Sequence, residues 1–135
     1  MSTNNSNCIF CKIINKDIPS EIIHEDNNCI VIPDKFPAMK GQCLVISKEH
    51  IGYAFDLDET TYNHLFSIAK KTVKAIDKAL NPKRTCLVVE GFEIPHTHIK
   101  LFPTYGTGLK IQGGKEATNE EIKELASKVK ENLDI

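Results

Sequence analysis

The run Glu93-Ile94-Pro95-His96-Thr97-His98-Ile99-Lys100-Leu101-Phe102-Pro103 constrains the fold more than any other stretch of the chain. In an extended conformation its side chains alternate between two faces. His96, His98 and Lys100 then project to one side. Thr97, Ile99 and Leu101 project to the other, a largely apolar face suited to a core. Two imidazoles and an ammonium on one strand face repel when protonated, and stability alone gives little reason to keep them together. Such a cluster suits a metal site, a phosphate site or a nucleophile.

The rest of the hydrophobic pattern supplies partners for this strand. Cys8 to Asn15 reads as a turn followed by one or two helical turns. Ile22–Glu25 and Cys29–Ile32 read as strands joined at Asp26-Asn27-Asn28. A loop from Asp34 to Gly41, punctuated by Pro37, leads to a third strand at Gln42–Ser47. Asp58 is the expected N-cap of a long helix, in which Tyr62, Leu65, Phe66, Ala69, Val73 and Ile76 recur at helical spacing. Asn81-Pro82 stops it, and Thr85–Val89 and His96–Phe102 complete five strands. A Gly-rich loop follows, and Thr118-Asn119-Glu120-Glu121 forms a capping box for a C-terminal helix reaching about Leu133. The expectation is an α+β fold with a five-stranded antiparallel sheet, one long packed helix and a C-terminal helix. Residues 8–135 are expected to form one domain without an internal repeat or linker, and 1–7 read as a disordered polar arm.

Composition excludes several functions. The 135 residues suffice for one domain with a real core. A net charge of −1 gives no electrostatic reason to bind a nucleic-acid polymer, though a single nucleotide in a local pocket is compatible with it. No apolar run approaches transmembrane length, and MSTNNSN lacks the basic and apolar segments of a secretory leader, so the expected location is cytoplasmic. An odd count of five cysteines then argues against a disulfide framework. Cys29, Cys43 and Cys86 open aliphatic runs and read as buried small hydrophobes.

Cys8 and Cys11 differ, because C-x-x-C spacing can chelate one ion. A structural zinc takes four thiolate or imidazole ligands in a tetrahedron. His50, at a strand end, and His96 complete a Cys2His2 set with them. The spacing matches no zinc-finger pattern, so core cysteines and a solvated His50 remain an open alternative. His98 lies mid-strand beside an imidazole and a lysine, where a neutral ring held in one tautomer can attack a phosphoryl or acyl centre. A second metal ligand or a satisfied core histidine is its alternative.

Several separate motifs, in order, resemble the histidine triad (HIT) superfamily. They are Cys8-Ile-Phe-Cys11-Lys-Ile-Ile, Ile18-Pro19-Ser20, Glu25-Asp26, Phe36-Pro37 through Gly41, Leu44-Val-Ile-Ser-Lys-Glu-His50 and His96-Thr-His98-Ile-Lys100-Leu-Phe-Pro103. The resemblance implies a homodimer of five-stranded subunits acting on a purine nucleotide conjugate, a phosphoramidate or dinucleoside polyphosphate. It implies that His98 attacks the α-phosphorus and that the nucleotidyl-histidine formed is released by water. It implies a structural zinc at Cys8, Cys11, His50 and His96. It also implies that Asp34, with Lys35 beside it, meets the ribose, whose two hydroxyls a carboxylate accepts well. Ile9, Phe10 and Ile14 are candidates for lining the base pocket, with core packing as the alternative for each.

The sequence departs from the family pattern at two places. Lys100 stands where the third histidine of the triad belongs. It keeps a donor and a fixed positive charge but cannot accept a hydrogen bond, so phosphate binding is expected to survive and catalysis to be altered. The loop before the triad is short, with Phe92 and Glu93 in the Gln and Ser/Thr places. Glu93 can serve as a general acid if its pKa is raised, or it can repel an anionic substrate. Two other functions therefore stand beside hydrolysis: a nucleotide-binding module with weakened chemistry, and a hydrolase whose zinc is itself catalytic.

Overall fold

The computed structural model describes residues 7–135. The expected arm at 1–7 thus lies almost wholly outside the described residues. The chain runs α1 (Ile9–Ile14), β1 (His24–Glu25), β2 (Cys29–Pro33), β3 (Cys43–Ser47), a 3-10 turn (Ala54–Asp56), α2 (Glu59–Leu80), β4 (Arg84–Val88), β5 (His98–Thr104) and α3 (Asn119–Glu131). The five strands form one antiparallel sheet in the order β1-β2-β3-β5-β4.

Local chemistry sets the connections. Asp26 closes the β1–β2 turn, its Oδ1 accepting from the main-chain N–H of Asn28 and Cys29 at 2.8 and 3.0 Å. Gly41 precedes β3 at φ +87°, a left-handed conformation that favours glycine. Asp58 occupies the N-cap of α2 without a side-chain capping bond, and Asn81 ends the helix in the left-handed conformation. Thr118 and Glu121 form the full reciprocal capping box of α3.

Register sorts side chains onto two faces. Val31 pairs with Val45, and Val45 with Ile99, so these residues and Leu101 share one face. There they pack with Leu65, Ala69, Ile76 and Val129 of α2 and α3. Full burial of each large aliphatic contributes roughly 1.5–3 kcal/mol. Ile30, Ile32, Leu44 and Ile46 share the opposite face and are covered by Phe10, Cys11 and Ile13 around α1. His98 pairs with Ile46 and Lys100 with Leu44, which places both polar residues on the α1 face.

Two expectations need correction. The ladder of β5 begins at His98, not His96: Thr97 donates its N–H to Ile51 and its carbonyl accepts from Ser47, so the chain is tied to the end of β3 before pairing starts. Cys86 is only half-buried, because β4 is an edge strand with exposed and half-buried positions throughout.

Candidate functional site

The turn before α1, the segment after β3 and the approach to β5 meet at one point. There Cys8, Cys11, His50 and His96 bring one ligand atom each to within 4.8 Å of one another. His96 Nδ1 lies 3.3 Å from Cys8 Sγ, 3.5 Å from Cys11 Sγ and 3.0 Å from His50 Nδ1, and Cys11 Sγ lies 3.2 Å from His50 Nδ1. A tetrahedron with metal–ligand bonds of about 2.0–2.3 Å has edges of roughly 3.3–3.8 Å, close to these separations. The Nε2–H of His96 donates to the main-chain oxygen of Ser47 at 2.6 Å. That bond leaves Nδ1 as a bare lone pair aimed at two sulfurs and a second ring nitrogen. Burial drives the pKa of His96 down to about 4, with the neighbouring His50 and His98 adding to the effect against the Ser47 bond. A buried cluster of lone pairs of this kind fits a cation. Four protein donors fill a tetrahedral ion, which suits a structural zinc and leaves no position for a reacting water.

His98 stands one step along the strand. Its Nδ1–H donates to the main-chain oxygen of His96 at 2.7 Å, so Nε2 keeps its lone pair. The ring of Phe10 packs on it at 4.8 Å and 65°, and meets His96 at 5.7 Å and 84°. Burial lowers the pKa of His98; Lys100 pushes it further down, while the His96 bond and the carboxylates of Asp34 and Glu90 oppose. The neutral ring is therefore favoured, as a nucleophile requires. A cleft of about 40 Å³ opens beside it, lined by Gly52, Tyr53, Ala54, Phe55, Val89, Glu90, Gly91 and Thr97.

The other expected residues are distributed around this point. Lys100 is half-buried, two residues on from His98 on the same face. Asp34 accepts from Phe36 N at 2.9 Å and Gln42 Nε2 at 2.6 Å, so it shapes its own loop while its charge acts on His98. Lys35 is exposed and pairs with Glu116 at 3.4 Å. Ile9 is exposed, Ile14 packs against the α1 core, and Phe10 packs on His98. Glu93 is exposed in the loop, outside the lining of the His98 cleft. Glu90, Tyr53 and Phe55 line the cleft and were not singled out by the sequence, although Glu90 lies two residues past the Val88–Lys100 pair.

Comparison with known proteins agrees with this geometry. The HIT domain model matches residues 15–107. An uncharacterised HIT-like protein of Methanocaldococcus jannaschii is 31% identical over 128 residues, covering 91% of this chain and 98% of that one. An adenosine 5'-monophosphoramidase of Schizosaccharomyces pombe is also 31% identical, over 132 residues, with 91% and 98% covered. The crystal structure of a HIT-like protein from Bartonella henselae superposes with a TM-score of 0.87 at 26% identity, covering 98% of this chain and all of that one. The family match, the five-stranded sheet and the histidine-bearing strand agree: the chain belongs to the HIT domain family.

Proposed function

We propose that the protein hydrolyses or transfers the nucleotidyl group of a purine nucleotide conjugate, a phosphoramidate or a dinucleoside polyphosphate, through a nucleotidyl-histidine. The observation that carries this is His98: its neutral form favoured by burial, its Nδ1–H tied to the His96 carbonyl so that Nε2 is the free nitrogen, and a cleft beside it. Nε2 bonds to the α-phosphorus while the bond from phosphorus to the leaving group breaks, and the leaving nitrogen or oxygen takes a proton. Water then attacks the same phosphorus, releases the nucleoside monophosphate and restores the ring. Lys100 holds phosphate oxygens as a fixed point charge. Glu90 steadies the cationic ring of the intermediate, and Asp34 accepts ribose hydroxyls. Zinc at Cys8, Cys11, His50 and His96 anchors α1 and the approach to β5; it takes no part in the chemistry.

The S. pombe relative, a phosphoramidase by name, supports the choice of substrate class. Incubation with an adenosine phosphoramidate and a diadenosine polyphosphate tests it, comparing wild type with His98→Ala. Release of AMP by the wild type alone is expected; no release from either substrate would exclude hydrolysis of both classes.

The fixed charge of Lys100 favours one competing function, nucleotide binding without turnover. In that case AMP raises Tm while neither substrate is consumed. We further propose that the protein is a cytoplasmic homodimer. The dimer accounts for the exposed Leu87 on edge strand β4 and for Tyr53 and Phe55, which are 60% and 69% exposed. Light scattering that gives a monomer mass at micromolar concentration would contradict it.

A further inference from the structure

A second group of metal-ligating side chains lies apart from both the Cys2His2 set and His98. His24 of β1 and His64 of α2 each place Nε2 2.7 Å from the same carboxylate oxygen, Oδ2 of Asp26. Cys29 Sγ lies 3.6 Å from that oxygen, and the ligand atoms of His24, Asp26 and Cys29 all fall within 4.8 Å of one another. Three donors from a strand, a turn and the next strand thus converge on one point, and His64 of the distant helix α2 reaches the same carboxylate oxygen.

The convergence is more than turn chemistry. Asp26 Oδ1 alone closes the β1–β2 turn through Asn28 and Cys29. The second oxygen is left over, and it gathers two imidazoles whose sequence positions are 40 residues apart. Side-chain exposures of 16% for His24, 25% for Asp26 and 35% for His64 leave a way in for an ion. Next to the turn, a groove of about 540 Å³, lined by Asn27, Asn28, Lys48, Asp58 and Thr61 among others, opens to solvent.

We infer that His24, Asp26 and Cys29, with His64 as a fourth donor once its ring turns, form a second site for a divalent transition-metal ion. Two imidazoles, a carboxylate and a sulfur suit zinc, cobalt or nickel; magnesium and calcium prefer oxygen ligands alone. Without an ion, each ring donates Nε2–H to Asp26. To bind one, each ring moves its proton to Nδ1 and turns the freed Nε2 lone pair on the metal. The ion ties the β1–β2 turn to α2. It is held more weakly than an ion at the buried Cys2His2 set, because its donors are partly solvated.

Metal analysis of the full chain, equilibrated in buffers of increasing free zinc, tests this. The wild type is expected to bind two ions per chain, the second in the micromolar range and with a further rise in Tm. His64→Ala and His24→Gln are expected to bind one, with Tm no longer rising over the second range. His64 is partly exposed on a helix and alanine favours helix, so His64→Ala retains the fold, which circular dichroism checks. With cobalt in place of zinc, Cys29→Ser is expected to keep the second equivalent and lose its thiolate charge-transfer absorption. One ion per chain in the wild type throughout the titration would overturn the inference, as would two ions in both histidine variants.

Discussion

His98 donates its Nδ1–H to the main-chain oxygen of His96 at 2.7 Å, while His96 turns its own Nδ1 to Cys8 and Cys11. His96, a member of the Cys2His2 set, therefore also fixes the tautomer of His98, the proposed nucleophile. The Cys2His2 set, the strand entry and His98 form one chain of contacts, and several outcomes depend on it.

Removal of zinc is expected to cost stability and activity together. Without the ion, buried lone pairs of Cys8, Cys11, His50 and His96 face one another, and α1 loses its tie to β5. Chelation, or Cys11→Ser, should lower stability by more than about 2 kcal/mol, roughly 6 °C in Tm for a domain of this size. Differential scanning calorimetry with and without chelator measures it.

Lys100→His is expected to raise turnover. The substitution restores a group that both donates and accepts, and it relieves the repulsion between a fixed charge and the cationic ring of the intermediate. A gain of about tenfold in kcat corresponds to 1.4 kcal/mol of the barrier. Lys100→Met should instead weaken AMP binding by roughly tenfold, read by isothermal titration calorimetry.

Glu90 and Glu93 should separate cleanly. Glu90 lines the cleft and its carboxylate acts on His98, whereas Glu93 is exposed outside it. Glu90→Gln is expected to lower kcat about tenfold, and Glu93→Gln to leave it within about twofold. Steady-state kinetics of the two variants decides which carboxylate serves the reaction.

Thiol reactivity tests the sheet directly. Burial pushes the Cys29 thiol up to about 12, and burial with the nearby Asp34 pushes Cys43 higher still. The thiolate is the reactive form. Cys29 and Cys43 should therefore stay protonated and unreactive, while half-buried Cys86 on edge strand β4 is open to reagent. Peptide mapping after iodoacetamide treatment of the native chain is expected to show Cys86 modified first among the three.

Much of this architecture was legible in the residues because its signals are local. The capping box of α3, the C-x-x-C turn and the alternation of Ile99 and Leu101 with His98 and Lys100 depend on near neighbours. What escaped depends on pairing between distant segments. Glu90 enters the cleft through the register of β4 on β5. His96 leaves the ladder because its neighbour Thr97 is tied to Ile51. Cys86 sits in an aliphatic run indistinguishable from that of Cys43, yet one strand is an edge and the other is central. His24 and His64 meet at Asp26 only because α2 packs near the first hairpin.

The central claim is that His98 carries the nucleotidyl group. Rapid-quench mass spectrometry after mixing with adenosine phosphoramidate tests it most directly. An AMP adduct on the peptide bearing His98, formed before AMP release and absent from His98→Ala, is the predicted result. Release of AMP with no adduct at any quench time, or with the adduct on another residue, would contradict it.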